Sequence, residues 1–193
     1  MQGSRASRRL VDLLIAALRL AGAIAVPGPA AAAPRVEFPG AGQATHTDRA
    51  VVETTLALLG FGRWPGDPVL LRLCLVGTSG RADMLLSARH RPMAGRRVSV
   101  RQRAPVDVGT DCDAVFLGRL PQEQLQAVYA RMAGRPELSI GERPEDCRAG
   151  AAFCLDECTP GIAFGVNLVS LARSGVRMHP GVLQLARRRG RAQ

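Results

Sequence analysis

The stretch VLLRLCLVG, residues 69–77, decides how the fold of this chain is read. An unbroken apolar run of this length fits a strand buried on both faces, inside a sheet covered by helices on each side. Gly77, Thr78, Ser79 and Gly80 then turn the chain out of it. Upstream, RAVVETTLALLGF (49–61) places Val51, Val52, Thr55, Leu56 and Leu59 at helical spacing, with Thr45 or Thr47 as the cap and Gly60 and Gly62 as the stop. Downstream, ADMLLSARH (82–90) predicts a short helix and RRVSVRQR (96–103) a half-exposed strand, because Val98 and Val100 alternate with Ser and Arg. DAVFLG (113–118) is a further apolar strand. Pro121 opens the helix PQEQLQAVYARMAG (121–134), whose stripe is Leu125, Val128, Tyr129 and Met132 and whose stop is Gly134. ELSI (137–140) follows as a short strand. AAFCLDEC (151–158) and IAFGVN (162–167) form a hairpin across Thr159, Pro160 and Gly161. LVSLARSG (168–175) and PGVLQLARRR (180–189) close the chain as two helices. The alternation predicts an α/β fold: one domain over residues 46–190, with a central mixed β-sheet flanked by helices.

Outside that domain, residues 1–33 have the anatomy of a signal peptide. Arg5, Arg8 and Arg9 precede the apolar run LVDLLIAALRLAGAIAV, and Ala31 and Ala33 suit a cut near Ala33/Pro34. Asp12 and Arg19 lie inside the apolar run, where a charge at mid-bilayer costs about 2.5 to 3.5 kcal/mol; they argue against a permanent anchor. Residues 34–45, rich in Pro, Gly and Ala, read as a flexible lead. The expectation is an exported, periplasmic protein, and about 160 residues remain after cleavage, enough for a core of ordinary size.

Charge is a weaker guide. The formal net charge of +10 becomes +7 without Arg5, Arg8, Arg9, Arg19 and Asp12, and every basic residue is Arg. Arg without Lys, together with many Ala and Gly, is a composition bias and not a nucleic-acid signature; no nucleic-acid partner is expected. A positive face can still steer the protein toward acidic partners. The cluster Arg187, Arg188, Arg189 and Arg191 reads as a solvated tail.

Catalytic constellations do not emerge. VGTSGRADML (76–85) sets Gly77 and Gly80 between a strand and a helix, but without a Walker lysine, a GxGxxG or a suitably spaced acid it reads as an ordinary turn. His46, His90 and His179 accompany neither a GxSxG elbow nor an HExxH. Cys147, Cys154, Cys158 and His179 offer zinc-ligand types, yet the short cysteine pairs of a zinc ribbon are missing and export favours oxidised sulfur. No CxxC is present for a redox enzyme. The expectation is a protein that is not an enzyme and uses no metal or cofactor. Trp64, in GFGRWPGDP, reads as a core lid more than a binding anchor. Arg173, Arg177 and His179 surround the turn between the last two helices, where they can meet an anionic ligand or acidic partner patch as readily as solvent. The cysteines number five, so at least one thiol stays free or pairs outside the chain.

A larger pattern runs through GFGRWP (60–65), LRLCLVG (71–77), CDAVFLG (112–118), GRPELSI (134–140) and the closing FGVNLVSLARSGVRMHPGVLQLAR (164–187). In these segments the chain resembles the YfiR family of periplasmic regulators. The closing block is the most specific: an aromatic before an Asn-containing helix start, a Gly between two helices and a Leu-rich last turn occur together. The chain departs from the family in CRAGAAFCLDEC (147–158), which has Ala at places where Gly is usual.

The resemblance implies two internal disulfides, Cys74 with Cys112 and Cys147 with Cys154, and leaves Cys158 as the free thiol; pairing of Cys147 with Cys158 stays open on the residues alone. It implies repression of a membrane diguanylate cyclase of the YfiN type, through its periplasmic sensor region, with lower cyclic-di-GMP and less biofilm as the result. It implies an outer-membrane YfiB-type protein as a second partner, and a homodimer. A redox-sensitive Cys147/Cys154 bond would then act on a binding surface. The alternative is a periplasmic small-molecule sensor acting on a membrane sensor kinase, with Arg177 and His179 holding a carboxylate or phosphate.

Overall fold

Helix α1 (His46–Phe61) begins where Thr45 and Asp48 close a capping box. The Asp48 amide donates to Thr45 Oγ1 at 3.1 Å, and the Thr45 amide donates to Asp48 Oδ2 at 3.0 Å. The Thr45 hydroxyl, donating to Asp48 Oδ2 at 2.8 Å, and the Thr45 amide hold the Asp48 carboxyl below its usual pKa, with Arg81 nearby. The sequence left Thr45 and Thr47 as alternatives; Thr45 is the cap. The computed structural model describes residues 45–88, 92–93, 95–158 and 161–182. The signal segment, the lead up to residue 44, His90, the Thr159–Pro160 part of the hairpin turn, the last helix beyond Val182 and the arginine tail lie outside the described residues.

Strand β2 (Leu70–Val76) is buried on both faces, as its composition demands. Leu71, Leu73 and Leu75 enter one hydrophobic cluster with Val51, Val52 and Leu59 of α1, whereas Cys74 and Val76 enter a second. The alternation is the period of two expected of a strand. Strand β5 (Ala114–Leu117) divides likewise, with Ala114 and Phe116 on the first side and Val115 and Leu117 on the second. The second side is covered by α3 (Gln122–Met132), which contributes Leu125, Val128 and Met132. The architecture is three layers: α1 and α2 (Ala82–Ser87) against one face, and α3 against the other.

The sheet has seven strands in the order β3-β4-β2-β5-β6-β7-β8 among the described residues. The remaining members are β3 (Pro92–Met93), β4 (Arg96–Arg103), β6 (Leu138–Gly141), β7 (Phe153–Cys158) and β8 (Gly161–Val166). Strands β4, β2, β5, β6 and β7 pair in parallel, and β3 and β8 add antiparallel edges, so the sheet is mixed as expected. A small antiparallel pair, β1 (Gly62–Arg63) with β9 (Arg177–Met178), fastens the C-terminal segment to the end of α1. Trp64 follows β1 at 5% exposure and donates its indole N–H to the Asp113 carbonyl at 2.8 Å. It is the core lid its setting predicted.

Several boundaries differ from the sequence reading. The helix expected over 82–90 ends at Ser87, and Ala88 is a turn. Two short elements lack any sequence periodicity: the 3-10 helix Pro105–Asp107 and the single turn α4 (Asp146–Ala149). The latter forms because buried Asp146 accepts the Arg143 amide at 2.9 Å and its guanidinium at 2.8 Å. Between α5 (Leu168–Arg173) and the last helix stands β9, where a plain turn was expected.

Both disulfides are present. Cys74–Cys112 ties β2 to the segment entering β5, Cys147–Cys154 ties α4 to β7, and Cys158 is free.

Candidate functional site

In an open α/β sheet, ligands usually enter where strand order reverses, outside the carboxyl ends of the strands. Here that place lies between β2 and β5, and it is closed. Gly77 and Gly118 let the two strand ends approach so closely that a Cβ on either would stand 2.6 Å from a backbone oxygen of the other. The Thr78 amide donates to the Arg119 carbonyl at 3.0 Å, and the Arg119 amide donates to the Thr78 carbonyl at 2.8 Å. The Gly118 amide donates to Val76. The amides of Thr78, Gly118 and Arg119 are thus spent on carbonyls within the closure, and VGTSGRADML is the turn it read as.

Beside this closure lies a polar cleft of about 310 Å³, lined by Ser79, Arg81, Arg119, Glu142, Arg143 and Glu157. Arg81 is its hub. The guanidinium pairs with Asp48 of α1 at 2.9 Å, with Glu142 after β6 at 2.7 Å, and with Glu157 of β7. Burial opposes the Arg81 charge, but the hydrogen bonds and attraction of Glu142 and Glu157 overcome it and raise its pKa. Glu142 also accepts from the Ser79 hydroxyl at 2.8 Å. The cluster is a clasp across three elements, with Asp48, Glu142 and Glu157 each engaged by Arg81.

On the opposite side of the hairpin, the second disulfide shapes a surface. A Cβ on Gly165 would stand 2.9 Å from Cys154 Sγ, so β8 can lie over the sulfurs only with glycine there. Asn167 follows, donating its side-chain amide to the Cys147 carbonyl at 2.9 Å and accepting the Ser170 amide at 3.0 Å. That second bond caps α5. The first residues of α5, Leu168 and Val169, are 64% and 60% exposed. They stand among the most exposed large hydrophobic side chains of the described residues.

Arg173 and Arg177, singled out in the sequence, stand on different elements, and His179 follows the second of these. Arg173, at the end of α5, lines a cleft against α3. Arg177 is exposed on β9, paired in register with Arg63. His179 is also exposed; its ring lies 6.3 Å from Phe61, and its Nδ1 accepts the Gly181 amide at 3.1 Å. Cys147 and Cys154 are bonded to each other, which removes two ligands from the zinc set considered with Cys158 and His179. Sequence reasoning missed the Arg81 clasp, Asn167 as an anchor, and the polar groups of the α3 cleft, Tyr129 and Glu137.

Disulfides and ion pairs brace the surfaces of this three-layer α/β scaffold. The chain belongs to the YfiR/HmsC-like family, whose model matches residues 49–187. That family consists of periplasmic regulators in cyclic-di-GMP signalling. No helix among the described residues is long and apolar enough to cross a membrane.

Proposed function

We propose that this protein represses an inner-membrane diguanylate cyclase of the YfiN type by binding its periplasmic sensor region, and so lowers cyclic-di-GMP and biofilm formation. The family match over residues 49–187 carries the reading. Leu168 and Val169, held out by the Asn167 cap, supply apolar contact area, and Arg173, Arg177 and His179 supply polar contacts at the same end of the chain. Repression requires tighter binding to the inactive cyclase than to the active one. Moving a two-state cyclase from 1:99 to 99:1 takes a preference of about 10⁴-fold. A homodimer of the repressor matches a two-fold symmetric target, and a YfiB-type outer-membrane protein releases the cyclase by sequestering the repressor.

Redox state enters through Cys147–Cys154. A dithiol reductant passes two electrons to this bond and becomes a disulfide itself, leaving two thiols on the chain. Helix α4 is then no longer tied to β7, the Cys147 carbonyl that anchors Asn167 is released, and the α5 surface loosens. Calorimetric titration of the oxidised protein into the isolated periplasmic region of a YfiN-type cyclase tests the reading. Saturable binding is expected, and absence of binding by both oxidised and reduced protein overturns it.

A further inference from the structure

The cleft between α3, β6 and α5 has a volume of about 390 Å³, within the range of small-ligand sites. Two of its lining residues carry buried polar atoms that have no hydrogen-bond partner among the described residues. Glu137 is 5% exposed and its Oε2 has no hydrogen-bond partner; the Tyr129 hydroxyl is likewise buried without one. Such groups normally find partners, because each unmade bond forfeits the desolvation of its atom. Met132 and the Tyr129 ring add apolar wall, and Arg173 stands at the mouth with no ion pair among the described residues.

We propose that this cleft binds a compact organic ammonium ion carrying a single positive charge, with the Glu137 carboxylate and Tyr129 hydroxyl accepting its N–H bonds and its carbon chain lying on Met132. An ammonium brings several donors to a place that offers unfilled acceptors, and an aromatic face beside it adds cation–π attraction. Arg173 at the mouth repels a second positive charge, which selects monoamines over diamines. The charged groups acting on Glu137 are Arg135 beside it and Asp113 and Arg72 from the strand side; Tyr129 and Arg173 from the helices line the same cleft. Arg72 and Asp113 are bonded to each other at 2.9 Å, so their opposite fields largely cancel at Glu137. Burial therefore dominates and pushes the carboxyl up to about 7, the state a cationic ligand would reverse. The assignment stands apart from the repressor reading: its failure leaves the cyclase contact intact.

The test uses the exported, oxidised protein, with ethanolamine, putrescine and acetate as probes, followed by amide NMR shifts and calorimetry. At pH 8 ethanolamine should bind saturably and shift Tyr129, Glu137 and Ser139, and its affinity should fall about tenfold or more by pH 5.5 as Glu137 gains its proton. Glu137→Gln should abolish binding, Tyr129→Phe should weaken it severalfold while keeping the ring, and putrescine should bind less well than ethanolamine until Arg173→Ala removes the difference. Acetate binding in place of ethanolamine, equal ethanolamine affinity in wild type and Glu137→Gln, or no shift in the cleft by any probe at pH 8 would each overturn the proposal. Should Glu137→Gln fail to fold, Tyr129→Phe and the wild-type pH series decide the matter.

Discussion

Asn167 joins the second disulfide to the surface beyond it: its side-chain amide reaches the Cys147 carbonyl at 2.9 Å while its own oxygen caps α5 through Ser170. One residue thereby makes the position of Leu168 and Val169 depend on a covalent bond between α4 and β7. Removal of that bond should alter binding more than folding.

The two disulfides should separate in this respect. Cys74–Cys112 spans 38 residues and Cys147–Cys154 spans 7, and chain-entropy reasoning assigns them about 4 and about 2.5 kcal/mol. Denaturant unfolding of Cys74→Ser/Cys112→Ser should show the larger loss of stability. Cys147→Ser/Cys154→Ser should stay folded yet lose about tenfold or more in affinity for the cyclase sensor region; unchanged affinity would remove the redox input.

Asn167→Ala tests the same route with the disulfide intact. Loss of an N-cap costs about 1 kcal/mol. The variant should keep both disulfides by non-reducing peptide mapping, show a modest fall in melting temperature, and bind the sensor region less tightly.

Arg81 should matter to stability. Glu142, only 9% exposed at its side chain, would be left without its cation in Arg81→Met, as would Asp48 and Glu157. Breaking one side of such a partly buried pair costs about 2 to 4 kcal/mol, measurable by urea unfolding. Adding Glu142→Gln should restore part of the loss, since the stranded charge goes with it.

The pH dependence of folding carries the signature of Glu137. Burial, opposed by Arg135, raises its carboxyl from 4.5 to about 7 in the folded chain. Between those values the folded state holds a proton that the unfolded state has released, so its contribution to stability is full below pH 4.5 and disappears as pH rises through 7. Glu137→Gln should flatten the stability profile across that window; a slope identical to wild type would contradict the burial of this acid.

Much of the scaffold is legible in single segments. VLLRLCLVG announces a strand with two buried faces because all its neighbours in space are sheet or helix, and QEQLQAVYARM shows its stripe because only one face of α3 meets the core. What escapes the sequence is made by distance. Arg81 meets Glu157 across 76 positions and Trp64 meets Asp113 across 49, so neither leaves a local spacing to read. Helix α4 is missed for a different reason: a single turn held by one buried aspartate has no period. The α3 cleft was hidden in plain patterns, with Tyr129 read as part of a core stripe and Glu137 as the start of a strand.

The most direct test of the account measures cyclic-di-GMP synthesis by a full-length YfiN-type cyclase in membranes whose periplasmic face is exposed to the purified protein. The oxidised protein should lower the rate in a saturable manner, with reduction of Cys147–Cys154 or a YfiB-type protein restoring it. A rate that stays constant at every concentration of folded, oxidised protein would contradict the proposed repression.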